Sequence, residues 1–367
     1  MPDGYDAVKI TTQFVAPTSS DTQYGVPLII GTGNAVAAAE ITYFNSLEEL
    51  LVTYDAVNFA NIANCATSIS ENGVTRIAVG IYVTKIDELY DLMNVESRVG
   101  NITSVVVAGL TLDSTSISVI QPAGKDTLIE TCDDNNLIFV VVATPPTALN
   151  SITPTKIATL RNSIVSPNVY FVAYNDSAAT DDIAGAIVGK MECVPPAVTM
   201  QWKDIICDVN GYFKNSDLVI LETAHVNGII RDYGLSASFT TDKYVNGVNT
   251  VSSVINDISV TRSIYAIKRE IQQAIIDMRR NTVKLGYTTT SLGIISSTIE
   301  TVLEDNMSSA MNNRGMLNSY DIDMPSLSDI SDADKYNGIL SGITVTITLV
   351  GEIKTFNLSL VVNLGSD

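Results

Sequence analysis

Short apolar bursts rich in valine and isoleucine recur through the first half of the chain, each followed by a stretch of helical character. This alternation constrains the fold more than any other feature. Residues 26–33 (VPLIIGTG), 75–83, 104–108, 137–143 and 169–173 have the length and β-branched content of strands. The stretches near 57–70, 85–95, 125–133, 154–163 and 178–190 read as helices. Ser46, three residues ahead of Glu49, marks a further helix start, so the first burst is read as strand then helix. The second helix ends at Glu71-Asn72-Gly73, where the glycine supplies a stop. Strands spaced by helices of this length imply crossover connections and a largely parallel sheet covered on both faces.

After Met191 the rhythm changes, and residues 191–255 fit no pattern. Two long helical segments follow, about 259–283 and 291–311, then a polar, acidic connector at 321–334. The tail returns to a period of two: Val345, Ile347 and Leu349 alternate with Thr344, Thr346 and Thr348, and Phe356, Leu358, Leu360 and Val362 repeat it. Gly351-Glu352 lies between the runs, so the end reads as a hairpin. The expected class is α/β: a central mixed sheet flanked by helices, then a C-terminal α+β domain with a terminal β-hairpin and extended terminal arms. The divisions are an N-terminal arm at 1–24, a core at 25–255 with 191–255 as a less regular part, and a C-terminal unit at 256–367.

Composition narrows the function classes. At 367 residues the chain is long enough for two or more domains, and 46% hydrophobic content provides for sizeable cores. Its mean hydropathy of +0.23 raises the question of a membrane. The longest apolar stretches, 137–143 and 345–350, fall far short of the roughly 20 residues of a spanning helix. The 40 acidic residues against 21 Lys and Arg give a net charge of −19, which opposes sequence-independent attachment to nucleic acid or anionic lipid. The opening MPDGYDAVKITTQ has no secretion pattern, so synthesis in the cytoplasm is expected. Cys65, Cys132, Cys193 and Cys207 form no CxxC pair and read as buried free thiols.

Few residues point to chemistry. Gly31-Thr32-Gly33-Asn34-Ala35-Val36 is a GxGxxV after a strand, but Val36 replaces the small third residue of a dinucleotide fingerprint. A tight turn is the plainer reading. His225 is the one histidine and lies near a helix end, where it caps or packs. The adjacent acids Asp133-Asp134 and Asp181-Asp182 diverge on any regular element and make no paired carboxylates. The acids Asp321, Asp323, Asp329, Asp332 and Asp334 lack the glycine and glutamate of a calcium loop. Accordingly no catalytic residue, metal ligand or cofactor is assigned.

Two other features stand out. Between residues 262 and 284 lie Arg262, Lys268, Arg269, Arg279, Arg280 and Lys284, against Glu270 and Asp277 alone. Lys268 and Arg279 are eleven residues apart, about three helical turns, and Arg269 and Arg280 repeat the relation, so two basic rows share one side. Ile264, Ile267, Ile271, Ile275 and Met278 form the opposite, apolar face. The rows are either a solvated face or a docking surface for an acidic partner. The second feature is the pair of ends. Residues 7–15, with Val8, Ile10 and Phe14, form an extended run in polar flanks, and the other end closes with the strand at 356–362. Such strands either stay home as edges or add to another subunit's sheet, head to tail.

In this order of elements the chain resembles the contractile tail sheath family of phages and phage-derived injection systems. The resemblance rests on VPLIIGTG, YFNSLEELLVTYD and TRIAVGIYV, and on SIYAIKREIQQAI followed by SLSDISDADKYNGILSGITVTITLVGEIKTFNLSLVV. It is strongest over 24–83 and 256–364. It implies a non-enzymatic structural subunit that stacks in rings around an inner tube and contracts to drive it through a target envelope. The implied partners are copies of itself, the inner tail tube protein, the baseplate and the tail terminator, without nucleic acid or membrane insertion. The implied location is a virion tail or phage-tail-like particle assembled in the bacterial cytoplasm. On this resemblance Val8, Ile10, Phe14, Phe356, Leu358, Leu360 and Val362 lie on strands exchanged between subunits. Lys268, Arg269, Arg279, Arg280 and Lys284 become candidates to face the tube. Another tail component, tube or baseplate, is the alternative, and an α/β nucleotide-binding enzyme the more distant one.

Overall fold

The computed structural model describes residues 23–32, 38–99, 101–110, 127–143, 157, 164, 166–176, 178–201, 203–210, 213–231, 243–245, 257–281, 285–307 and 315–350. Eight strands form one sheet: β1 (Val26–Thr32), β2 (Glu40–Phe44), β3 (Ile77–Tyr82), β4 (Ile102–Val107), β5 (Ile138–Ala143), β6 (Val169–Ala173), β7 (Asn227–Arg231) and β8 (Lys243–Val245). Their spatial order is β2-β3-β1-β4-β5-β6-β7-β8. The inner strands pair in parallel, as expected from the helix-linked bursts, whereas β2 and β8 close the two sides antiparallel.

The sheet is covered on both faces because its central strands are apolar at most positions and buried along nearly their whole length. Ile29, Val79, Val106, Val140 and Val172 point to one side, under α2 (Ala60–Glu71) and α5 (Ile183–Glu192). Leu28, Ile30, Val105, Phe139 and Phe171 point to the other, under α3 (Tyr90–Val99), α4 (Leu128–Asp134) and α6 (Asn215–Thr223). Neighbours in sequence thus serve opposite cores, the consequence of the two-residue repeat of a strand.

Helix starts follow their side-chain caps. Ser46 Oγ accepts the Glu49 N–H at 3.2 Å ahead of α1 (Leu47–Thr53), and Glu49 returns a carboxylate oxygen to the Asn45 N–H at 3.0 Å. Thr127 and Glu130 repeat the arrangement at α4. Asp182 accepts the Gly185 N–H, which is why α5 begins at 183 and not near 178 as its composition predicts. The strand-to-helix reading of residues 26–53 is corrected by β2, which lies between them. The stretch at 191–255 without pattern supplies α6, β7 and β8. The helix expected near 154–163 falls almost wholly outside the described residues.

The C-terminal part holds α7 (Ile258–Asn281), α8 (Thr289–Asp305), β9 (Leu317–Asp323), α9 (Asp332–Asn337) and β10 (Thr344–Leu349). The helix read as reaching 311 stops at 305, where Asn306 ends α8. The acidic connector is not all loop, since its first residues belong to β9. β10 pairs antiparallel with β9, matching Val345 with Ile322 and Ile347 with Tyr320. The other arm of the expected hairpin, 356–362, lies outside the described residues. Ala266, Ile267, Ile299, Leu303, Met316 and Leu317 form a third, smaller core. Ile258 and Tyr265 belong instead to the sheet-side core, so α7 is shared between the two.

None of the four cysteines is in a disulfide: Cys65, Cys132 and Cys207 are buried and Cys193 is half-buried. Cys65 lies in the close contact between α2 and α5. A Cβ on Gly185 would stand 2.8 Å from the Cys65 carbonyl oxygen, and one on Gly189 only 2.4 Å from that of Ile69. These glycines set the helix separation. Gly189→Ala is expected to lower the unfolding free energy by about 1–3 kcal/mol in urea titrations, since backbone must move. Gly293→Ala, in α8 with nothing within 4 Å, is expected to raise it by about 0.5–1 kcal/mol.

Candidate assembly surfaces

The basic rows on α7 divide into halves with different surroundings. Near the helix start, Arg262 is buried and grips the C-terminal end of α5: Nη2 donates to the carbonyls of Met191 and Val194, both at 2.6 Å, and Nη1 to that of Pro195 at 3.5 Å. Carbonyls left over at a helix end attract a cation, which accounts for the choice of arginine. Burial pulls its pKa down to about 10, partly opposed by the nearby Glu192 carboxylate.

One turn on, the helix docks against the α4–β5 junction. Tyr265 donates its hydroxyl to Asp133 Oδ1 at 2.9 Å, and Lys268 donates to Asn136 Oδ1 at 3.2 Å while lying over the Tyr265 ring. Arg269 donates to the Asn136 carbonyl at 3.3 Å, and burial holds its guanidinium below the usual arginine value. Asn136 has a φ of 56°, a left-handed conformation in the junction that these side chains contact. Two of the five basic candidates therefore contact this chain's own sheet domain. Arg279 and Arg280 stand exposed at the far end, Arg280 paired with Asp277 at 3.3 Å. Lys284 lies outside the described residues. The intrachain contacts of Lys268 and Arg269 depend on which loop faces the helix, and no spacing rule within one segment contains that information.

The second surface is the β9–β10 ribbon. Thr344, Thr346 and Thr348 are exposed, while Val345, Ile347 and Leu349 are half-buried against the small core. A two-stranded ribbon is marginal alone and gains from further pairing. Its underside is only partly covered by the described residues: Tyr320, Ile322, Ile343, Val345, Ile347 and Leu349 are all half-buried. The strand candidates Val8, Ile10, Phe14, Phe356, Leu358, Leu360 and Val362 lie outside the described residues. β9 was legible only as Tyr320 and Ile322 alternating with Ser319, Asp321 and Asp323, a period masked by the acids.

The features that resembled enzyme chemistry are occupied by structure. Gly31 is inside β1, and a Cβ there would stand 2.6 Å from Ile62, so its glycine serves the seating of α2. The next element is β2, whereas a dinucleotide fingerprint opens a helix. His225 has a φ of 57°, and its N–H donates to the Glu222 carbonyl just past α6, the position where glycine commonly ends a helix. Asp182, besides capping α5, accepts the Gly109 N–H at 3.0 Å; burial pushes the pKa of its carboxyl, and of the adjoining Cys65 thiol, above the ordinary values. No described helix is long and apolar enough to cross a membrane.

No protein-family model matches the chain, and no curated protein matches it. Solved structures do. The helical sheath of the anti-feeding prophage in its contracted state is similar over 97% of this chain and 99% of that chain, with a TM-score of 0.63 at 15% identity. The fold is that of a contractile tail sheath protein. A chain in the six-fold symmetrised baseplate of the same prophage gives a TM-score of 0.65 at 16% identity, covering 93% of this chain and 94% of that one. A sheath tail protein from Listeria innocua gives 0.53 at 9% identity, over 82% and 87%. At such identities the sheath fold is carried by patterning more than by particular side chains, which is how the alternation at 26–83 and the helices from 258 were readable.

The division of the basic rows has a thermodynamic signature. Arg279→Glu with Arg280→Glu is expected to change the unfolding free energy by less than about 1 kcal/mol, both sites being exposed. Arg269→Glu, which places a carboxylate near Glu192 and frees the Asn136 carbonyl, is expected to cost more than about 2 kcal/mol. Denaturant melts of the two variants measure the difference.

Proposed function

We propose that this chain is the structural subunit of a contractile tail sheath, polymerising as stacked rings around an inner tube and driving that tube through a target envelope on contraction. The observation that carries the reading is the end-to-end likeness to the contracted prophage sheath, which spans nearly all of both chains. No reaction centre is invoked. The work comes from exchanging one packing of subunits for another of lower energy.

Two demands follow. Links between subunits must survive the rearrangement, and contacts with the tube must break. Main-chain pairing suits the first: Val8, Ile10 and Phe14 from one end, and Phe356, Leu358, Leu360 and Val362 from the other, would add to the β9–β10 ribbon of a neighbour. Exposed charge suits the second, being weak per contact and screened by salt. Of the basic candidates, Arg279 and Arg280 fit that role best, with Lys284 beyond them in sequence. Lys268 and Arg269 support it by holding the helix to its own domain. On this reading 1–24 is an arm, 25–255 the sheath core and 256–367 the tube-proximal unit. The partners are further copies of the chain, the tube protein, the baseplate and the tail terminator, in a virion tail or phage-tail-like particle assembled in the bacterial cytoplasm. The likeness to the prophage baseplate chain accords with a ring seated there.

Deleting residues 1–22 and 351–367 together is expected to leave a folded protein by circular dichroism that builds no striated cylinders under negative stain. Cylinders from the trimmed protein would remove strand exchange from the reading. Reversing Arg279 and Arg280 to glutamate is expected to abolish extended assembly on tubes while the sheath still polymerises alone. Normal extended tails from that variant would take the tube contact elsewhere.

A further inference from the structure

The C-terminal end of α5 receives two segments far apart in sequence. From one side comes the chain entering β1. The Tyr24 N–H donates to the Glu192 carbonyl at 2.9 Å, and Gln23 clasps the turn before β3, accepting the Arg76 N–H at 3.0 Å and donating to the Arg76 carbonyl at 2.7 Å. Gly25 passes so close over Thr103 that a Cβ would stand 2.0 Å from its hydroxyl oxygen. That hydroxyl donates to Glu192 Oε1 at 2.6 Å, and Ser104 donates to the same oxygen at 2.5 Å. From the other side comes α7, whose Arg262 holds the carbonyls of Met191 and Val194, on the two sides of the Glu192-Cys193 pair. Thr103, Ser104, Glu192 and Arg262 are all buried.

We infer that residues 191–195 form a coupling joint, in which the backbone of one helix end ties the segment entering at Gln23–Gly25 to helix α7, so that displacing either is felt by the other. Arg262 is its positioning residue. The joint is held by charge-assisted bonds from Arg262 to the Met191 and Val194 carbonyls, and Glu192 is fixed by two hydroxyls. Its use in assembly rests on the sheath reading, under which the segment before Gln23 links to one neighbour and α7 leads towards the tube. A pull on the first would then reach the second within one subunit, bypassing the sheet. The coupling itself is a property of the single chain.

Amide hydrogen exchange on the full chain tests it, because coupling between two sites is reciprocal. Gln23→Ala removes a half-buried clasp and leaves Thr103, Ser104, Glu192 and Arg262 in place. It is expected to speed exchange in the first turns of α7, residues 258–267, by about threefold or more, with α4 and α8 unchanged. Arg262→Lys is expected to speed exchange at residues 24–26 in return; should Arg262→Lys fail to fold, the Gln23→Ala arm decides alone. Faster exchange confined to 23–26 and 75–76 in Gln23→Ala, or spread evenly over the chain, overturns the joint. Negative stain of the same variants separates the two readings. Reciprocal exchange in a protein that never builds cylinders keeps the joint and removes the sheath, whereas cylinders with purely local exchange keep the sheath and remove the joint.

Discussion

Arg262 is a cation taken out of water, and what compensates it organises the molecule. A guanidinium offers five donors in a plane, and the end of α5 offers carbonyls whose bonding capacity the last turn does not fill. Each group removes the other's desolvation penalty, with Glu192 adding charge balance nearby. The geometry leaves little freedom: α7 must start where α5 stops. Since α5 is seated on α2 through Gly185 and Gly189, and α2 on the sheet, the direction of the long C-terminal helix is fixed by a chain of contacts running back to β1.

Along that helix the positive charge serves two purposes in succession. Its first half faces protein and is spent on carbonyls and an asparagine, while its last turns face solvent with Arg279 and Arg280 exposed. In a chain with 40 acidic residues, an exposed basic tip is conspicuous, even with Arg280 paired to Asp277. Field lines from so negative a body would keep most anionic surfaces away, leaving this tip as a place for a close, salt-sensitive approach.

The sheet was legible because burial on both faces forces nearly continuous Val and Ile, as in 138–143, and because caps such as Ser46 and Thr127 are local devices. β2 was missed since an edge strand needs less apolar content: Glu40 and Thr42 share it with Ile41 and Tyr43. The irregular stretch before residue 255 was unreadable for a related reason. α6 exposes Val219 and Ile220 and buries Leu221, so its apolar residues do not form one stripe. For the candidate surfaces, the period of the basic rows could be counted from residue numbers, but the half that contacts Asn136 and the half that faces solvent carry the same letters. Only the position of Asn136 distinguishes Arg269 from Arg280, and that is a tertiary fact.

A helix that contributes Ile258 and Tyr265 to one core and Ala266 and Ile267 to another cannot be lost from either alone. Melting the small core would strip the wall from the large one, and the reverse holds equally. Among the described residues the two cores are therefore joined through a shared helix and not through a linker.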